Sequence, residues 1–130
     1  MKIENARILV VDDDDVMRTF VVTLLGRLGA EHFQMAEDGR SGLEMALSFR
    51  PDLVICDVHM EPVDGIDFIR SLRAHPADEL RKMPVLMLSA DSSLQTLHES
   101  MPLGIIGYII KPPNLSSLKI KIEQILDQLI

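Results

Sequence analysis

Four short apolar runs in this 130-residue chain are each followed by a side chain that could take part in chemistry. Four consecutive aspartates, 12–15, follow the first run, and Asp57 follows the second. Ser89 comes after the third run, and Lys111 after the fourth. A fold that brings these run ends together would therefore place several carboxylates, a hydroxyl and an ammonium in one site.

These groups suit the transfer of a phosphoryl group with the help of a metal ion. Clustered carboxylates repel one another unless a cation lies between them, and Mg²⁺ prefers oxygen ligands. With Mg²⁺ bound, a negatively charged phosphoryl donor can approach, and the Asp57 carboxylate can act as the nucleophile that forms an acyl phosphate. Lys111 and Ser89 would then donate to the phosphoryl oxygens.

The runs themselves predict strands at 8–11, 53–56, 85–88 and 105–110. Short runs rich in Val and Ile, without alternation of polar residues, are typical of strands buried on both faces. The more polar stretch His32–Ala36 predicts an edge strand. Between the strands, helical spacing of apolar residues predicts helices, with residues 92–101 as the least regular. The predicted stripes are Val16, Phe20, Leu24 and Leu28; Leu43, Ala46 and Leu47; Ile66, Ile69 and Leu72; and Leu115, Leu118, Ile122, Ile125, Leu126 and Leu129.

Strands that alternate with helices indicate a doubly wound α/β domain, with a parallel sheet and helices on both of its faces. Right-handed crossovers restrict its topology. Gly29 and Asn114 suit a helix C-terminus and a helix N-cap, respectively. In sheets of this kind, sites form at the carboxyl ends of the strands, which is where the acidic, hydroxyl and ammonium groups fall.

Composition limits the class of protein. A chain of 130 residues is long enough for one domain, expected over 1–130, and too short for two. The net charge of −7 disfavours direct binding of nucleic acid or of anionic lipid. The single cysteine, Cys56, fits a reducing cytoplasm, and the N-terminus has the pattern of neither a signal peptide nor a membrane span.

Four segments together resemble the receiver domain of bacterial two-component response regulators, in particular its single-domain, chemotaxis-type members. The segments are RILVVDDDDVMRTF, PDLVICDVHMEPVDGIDFI, MPVLMLSA and GYIIKP. The resemblance covers essentially the whole chain and implies a flavodoxin-like receiver fold. That fold has a five-stranded parallel sheet of order 2-1-3-4-5 and five helices.

The resemblance also implies residue roles in phosphorylation. Asp57 corresponds to the phosphoacceptor, and Lys111 to the lysine that contacts the phosphoryl group. Asp12 and Asp13 correspond to the acidic pair that binds Mg²⁺ together with Asp57. The backbone carbonyl of His59 corresponds to a further metal ligand.

A second group of roles concerns the response to phosphorylation. Ser89 corresponds to the switch hydroxyl and Tyr108 to the switch aromatic residue. The peptide bond before Pro112 corresponds to one that is cis in the family, and proline is the residue that permits this. His59 and Asp91 are further candidates for tuning the lifetime of the phosphoryl group.

The implied partners are a sensor histidine kinase or a histidine phosphotransfer protein, which donates the phosphoryl group, and a downstream protein or output domain. Phosphorylation is expected to remodel the face formed by the predicted fourth helix, the fifth strand and the last helix. That face would bind the downstream partner or form a homodimer. Beyond assisting its own phosphorylation and dephosphorylation, the domain is not expected to be an enzyme.

Three positions depart from the commonest family pattern. Glu61 stands between Met60 and Pro62, where the family usually has proline directly after the methionine. Pro113 replaces a residue that is usually aromatic, and Pro102 is expected to end or loosen the predicted fourth helix.

Three alternatives remain open from the residues alone. A receiver fold could serve as a docking module without phosphorylation. The aspartate run also fits the start of haloacid-dehalogenase-like phosphohydrolases, with Asp12 as nucleophile and Asp14 as acid/base, although only Glu123 and Asp127 follow the lysine as acidic residues. A nucleotide- or flavin-binding domain would need a glycine-rich loop where this chain has aspartates. Asp14 and Asp15 also suit a simple helix start.

Overall fold

The computed structural model describes residues 1–58, 60, 64–89, 98 and 101–129. Five parallel strands form one sheet in the order β2-β1-β3-β4-β5, which confirms the predicted topology. The strands are β1 (Arg7–Val11), β2 (His32–Ala36), β3 (Leu53–Asp57), β4 (Val85–Ser89) and β5 (Gly107–Ile110).

Five α-helices lie in the described part of the chain: α1 (Asp15–Arg27), α2 (Gly39–Phe49), α3 (Gly65–Arg73), the single turn α4 (Asp78–Arg81) and α5 (Leu115–Asp127). Two 3₁₀ turns cover Ile3–Asn5 and Met101–Leu103. The short helix α4 was not predicted from the sequence. The predicted helix at 92–101 lies outside the described residues except at His98 and Met101.

The sheet separates two apolar cores because successive side chains of a strand point to opposite faces. Ile8 and Val10 of β1 belong to a core completed by α1 and α5. Leu9 and Val11 belong to the other core, which α2, α3 and α4 complete. The helices therefore cover both faces of the sheet, as the sequence predicted.

Polar caps define the helix ends that border the carboxyl edge of the sheet. The Asp14 carboxylate accepts hydrogen bonds from the backbone amides of Val16 and Met17, so it begins α1 as predicted. Asn114 forms a capping box with Ser117 at the start of α5. At the other end of α1, Gly29 adopts a φ of 103°, a conformation that favours glycine and ends the helix.

The predicted apolar stripe of α1 is wrong in its first half. Val16 is 79% exposed and Phe20 39% exposed, whereas Val21 and Leu25 are fully buried. Apolar residues occur on more than one side of this helix, so spacing alone did not reveal which side meets the sheet. In α2 the predicted core residue Leu47 is also exposed, while the predicted residues of α3 are buried.

The fifth strand also differs from the prediction. It begins at Gly107 rather than at Ile105, and it is not buried on both faces as the apolar run suggested, although the implied strand order correctly placed it at the edge. Ile109 is buried but Ile110 is 54% exposed. The apolar run therefore continues onto a surface of the molecule that its hydrophobicity alone did not indicate.

Candidate functional site

Two carboxylates and one ammonium meet at the carboxyl edge of the sheet. Asp12 follows β1 and Asp57 ends β3, and the pairing of Val11 with Cys56 brings the two aspartates side by side. The Lys111 Nζ lies 3.0 Å from an Asp12 oxygen and 3.0 Å from an Asp57 oxygen. A single lysine from the end of β5 thus bridges the two aspartates of neighbouring strands.

The N–H, the carbonyl and both carboxylate oxygens of Asp12 each form a hydrogen bond. Its backbone N–H donates to the Ala36 carbonyl over 3.1 Å. One carboxylate oxygen accepts from the Asp14 N–H at 2.9 Å and the other from Lys111. The Asp12 carbonyl accepts from the Arg18 guanidinium at 2.6 Å. These contacts fix the buried carboxylate in one orientation.

Asp13 completes a group of three acidic side chains that could hold a metal ion. One carboxylate oxygen from each of Asp12, Asp13 and Asp57 lies within 4.8 Å of the other two. Asp12 and Asp57 are only 1% and 5% exposed, whereas Asp13 is exposed. Since Mg²⁺ takes carboxylate oxygens and keeps several waters, an all-oxygen set with one open side fits this ion.

Burial raises the pKa of Asp57, and the nearby charge of Asp12 raises it further against the lowering effect of the Lys111 hydrogen bond. For Lys111, burial lowers the pKa, but the hydrogen bonds to Asp57 and Asp12 outweigh it and leave the pKa raised. Lys111 therefore stays charged at neutral pH, and the pocket holds more negative charge than one lysine can offset.

Ser89 ends β4 and is fully buried, one residue beyond the Leu88 that pairs with Asp57. Its carbonyl accepts from the Lys111 N–H at 2.8 Å, which ties the end of β4 to the end of β5. The Lys111–Pro112 peptide bond is cis, as the resemblance implied. Ser89 and Lys111 thus reach the same edge of the sheet as the aspartates.

Tyr108 lies on β5, partly buried against the core that α2 and α3 complete. His59, Glu61 and Asp91 fall outside the described residues, so their expected roles stay predictions. Pro102 lies in the 3₁₀ turn Met101–Leu103, and its expected effect on the helix before it stays a prediction, because most of that segment is outside the described residues.

Sequence reasoning missed two residues that shape the site. Gly65 begins α3 so close to β3 that a Cβ there would lie 2.1 Å from the Asp57 carbonyl oxygen. Its only sequence signal was the Asp64-Gly65 pair at a helix start. Arg18 was missed because its acceptors, the Asp12 carbonyl and the Asp15 side chain, depend on how α1 leaves the strand.

A family model described as "Response regulator receiver domain" matches residues 8–123. The five-stranded parallel sheet of order β2-β1-β3-β4-β5 and the acidic cluster at its carboxyl edge agree with that match. The chain therefore belongs to the response regulator receiver domain family, whose members work in phosphorylation-based signalling.

Several of the similar proteins are named as chemotaxis proteins. The chain is 37% identical over 126 residues to chemotaxis protein CheY-3 of Vibrio cholerae, covering 97% of this chain and 95% of that protein. It is 36% identical over 122 residues to chemotaxis protein CheY of Pseudomonas aeruginosa, covering 94% and 97%. The crystal structure of chemotaxis response regulator CheY4 of V. cholerae superposes with a TM-score of 0.83 at 30% identity, covering 92% and 98%.

Family membership removes two of the alternatives and leaves one. The hydrolase interpretation needs Asp14 as a free acid/base, but Asp14 caps α1. The nucleotide-binding interpretation is replaced by the receiver family. Among the described residues, no helix is long and apolar enough to span a membrane.

Proposed function

We propose that this protein is a signalling switch that accepts a phosphoryl group on Asp57 from a phosphohistidine, in a reaction that requires Mg²⁺. The observation that carries the proposal is the contact of Lys111 with both Asp12 and Asp57. The carboxylate of Asp13 lies beside these two and completes the acidic group. Nucleophile, metal ligands and a cationic donor to the phosphoryl oxygens lie together in one partly buried site.

Each residue of the site has a separate role in the proposed reaction. Asp12, Asp13 and Asp57 would hold Mg²⁺, with the backbone carbonyl of His59 as a proposed further ligand. When bound, the metal would offset the carboxylate charge and polarise a phosphoryl oxygen. An Asp57 oxygen then attacks phosphorus as the P–N bond to the donor histidine breaks, and that histidine takes up a proton. Lys111 donates to the phosphoryl oxygens.

The response would begin at Ser89. Phosphorylation adds roughly 1.5–2 negative charges to Asp57. The Ser89 hydroxyl would move to donate to the phosphoryl group, and Tyr108 would turn into the space that this movement leaves. The surface around β5 and α5 would then change shape, and a partner that prefers the changed surface would shift the population toward it.

The partners are proposed from the family and from the named chemotaxis relatives. They are a sensor histidine kinase or a phosphotransfer protein as donor, and a downstream protein, an output domain or a second copy of the chain as recipient of the signal. We also propose one receiver domain over 1–130, acting in the cytoplasm, where a buried free thiol such as Cys56 is stable. The domain would assist only its own phosphorylation and dephosphorylation.

Incubation with acetyl phosphate tests the proposal. We expect intact mass spectrometry to show one labile phosphoryl adduct that requires Mg²⁺ and is lost in Asp57→Asn. Asp64→Asn is a suitable control because it changes a neighbouring aspartate whose side chain caps α3. Equal labelling of wild type and Asp57→Asn would refute the acceptor assignment. Absence of labelling in the wild type with either a kinase or acetyl phosphate would favour a docking module.

A further inference from the structure

Arg18, on the second turn of α1, makes contacts that its position on a surface helix does not by itself require. Its side chain is 15% exposed. One guanidinium nitrogen donates to the backbone carbonyl of Asp12 over 2.6 Å, and another pairs with the carboxylate of Asp15. One side chain therefore joins the end of β1 to the start of α1, across the Asp12–Asp13 segment.

We propose that Arg18 is a positioning residue for the metal site: it holds the backbone between Asp12 and Asp13 so that both carboxylates face the ion. This inference rests on the proposed function, because it concerns binding of Mg²⁺ by these aspartates. The Asp12–Asp13 peptide unit is planar, so fixing the Asp12 carbonyl fixes the direction in which the chain enters Asp13. Asp13 lies on the exposed side of the acidic cluster, one peptide unit beyond the anchored carbonyl.

The chemistry of arginine suits this role. A guanidinium is a planar fork with several donors, so it can contact two acceptors at once. A lysine at position 18 would keep the charge but present a single ammonium on a flexible stem. We therefore expect a lysine at position 18 to form one of the two contacts that Arg18 makes, but not both.

Electrostatics and positioning predict opposite effects of removing Arg18. Its positive charge repels a divalent cation bound nearby, so loss of the charge alone would strengthen Mg²⁺ binding. Loss of the carbonyl anchor would instead leave the Asp12–Asp13 segment free to adopt other orientations and would weaken binding. The sign of the change in affinity therefore identifies which effect dominates.

Isothermal titration calorimetry with Mg²⁺, in the absence of any phosphoryl donor and below the unfolding temperature of every variant, gives that sign. We expect Arg18→Met to bind Mg²⁺ about tenfold more weakly than wild type, the lower end of the range for residues that orient metal ligands. Arg18→Lys should fall between the two. Arg27→Met removes an exposed arginine from the last turn of the same helix and should leave the affinity unchanged.

A second readout separates positioning from a direct part in the reaction. If Arg18 acts only through the metal ligands, the rate of phosphorylation of Arg18→Met by acetyl phosphate should recover to the wild-type rate at saturating Mg²⁺. A rate that stays low at saturating Mg²⁺ would contradict the assignment. If Arg18→Met fails to fold, the comparison of Arg18→Lys with wild type decides the question.

Two outcomes would overturn the inference about Arg18, and only the second would also overturn the proposed function. Normal Mg²⁺ binding by wild type, with equal or tighter binding by Arg18→Met and Arg18→Lys, would refute the positioning role and leave the proposed function intact. A wild-type protein that neither binds Mg²⁺ nor accepts a phosphoryl group would refute the proposed function and this inference together.

Discussion

The carboxyl edge of the sheet and the surface beside β5 differ in how tightly their side chains are held. At the edge, Asp12 and Asp57 are 1% and 5% exposed and share Lys111. On the surface formed by β5 and α5, here called the β5–α5 face, Ile110 and Ile120 are 54% and 53% exposed. The β5–α5 face contains a groove lined by Tyr108, Ile109, Ile110, Pro112, Asn114, Ser117, Ile120 and Lys121.

This contrast corresponds to the two tasks of a switch. The proposed phosphoryl transfer needs fixed positions, and Asp12 and Asp57 are buried and share the Lys111 ammonium. Recognition of a partner needs accessible apolar side chains, which the β5–α5 face supplies. Two departures from the family pattern, Pro102 and Pro113, also lie outside the acidic pocket, on the segments before β5 and α5. Pro102 is exposed and Pro113 is buried, while the third departure, Glu61, lies outside the described residues. Two of the three departures therefore lie away from the acidic cluster, next to the elements that form the β5–α5 face.

Gly65→Ala should cause the largest loss, because the pocket depends on a close backbone approach. A Cβ at this position would lie 2.1 Å from the Asp57 carbonyl oxygen, and backbone cannot move aside as a flexible side chain can. We expect a decrease of about 4 kcal/mol in the free energy of unfolding, in the range that marks a severe steric clash. Urea denaturation measures it.

Gly26→Ala is the matched control for Gly65→Ala. A Cβ at Gly26, within α1, meets nothing within 4 Å. The substitution should stabilise the protein by about 0.5–1 kcal/mol through helix propensity. Equal effects of the two substitutions would contradict the claim that the start of α3 is pressed against Asp57.

Lys111→Met should rank second. It leaves two buried carboxylates without their shared cation, and breaking a buried pair in this way costs about 3 kcal/mol. Saturating Mg²⁺ should restore most of the loss, since the ion takes the place of the missing charge among the carboxylates. Thermal unfolding with and without Mg²⁺ measures both effects.

Lys121→Met provides the comparison from the β5–α5 face. Lys121 lines the groove of that face rather than the acidic pocket. Its replacement should change stability by no more than about 0.5 kcal/mol, with or without Mg²⁺. A Mg²⁺-dependent effect of Lys121→Met on stability would contradict the claim that the acidic pocket and the β5–α5 face are separate.

The pH dependence of stability should report the charge in the pocket. In metal-free protein the pKa of Asp57 is raised above its ordinary value of 3.8. Between that value and the raised pKa, the folded state binds more protons than the unfolded state, so Asp57 makes stability fall as pH rises. Asp57→Asn should therefore be more stable than wild type at pH 7, and the difference should vanish below pH 3.8. Urea denaturation across this range, repeated with Mg²⁺, checks the sign.

The smallest effect is expected from an exposed side chain of the β5–α5 face. Ile110→Ser removes an exposed side chain and should change the free energy of unfolding by less than about 0.5 kcal/mol, without slowing phosphorylation. Its neighbour Ile109 is 7% exposed, so Ile109→Ala should cost about 2–4 kcal/mol. Slower phosphorylation of Ile110→Ser by acetyl phosphate would contradict this expectation, because it would show that a side chain of the β5–α5 face affects the reaction in the acidic pocket.

The sequence predicted the acidic pocket well because strand ends determine it. Asp12, Asp57, Ser89 and Lys111 each follow an apolar run, and parallel strands bring such ends to one edge. Family resemblance added the strand order and the cis bond before Pro112. These features depend on chain order and residue type, both of which a sequence shows directly.

The details that sequence could not reveal depend on tertiary packing. Helix α1 has apolar residues on several sides, so only its orientation on the sheet shows that Val21 is buried and Val16 exposed. The residues at which β5 begins and the exposure of Ile110 also depend on how the strand packs, since the apolar run 105–110 does not mark them. The close approach at Gly65 and the carbonyl contact of Arg18 need coordinates, because both involve the backbone of a separate element.

The central claim is that Asp57 is the residue that receives the phosphoryl group, and reductive trapping tests it most directly. Borohydride reduces an aspartyl phosphate to homoserine, which peptide mass spectrometry locates in the chain. After phosphorylation with Mg²⁺ and acetyl phosphate, we expect homoserine at position 57 alone. Homoserine at position 12 or 13, or a retained phosphoryl adduct without any homoserine, would contradict the assignment.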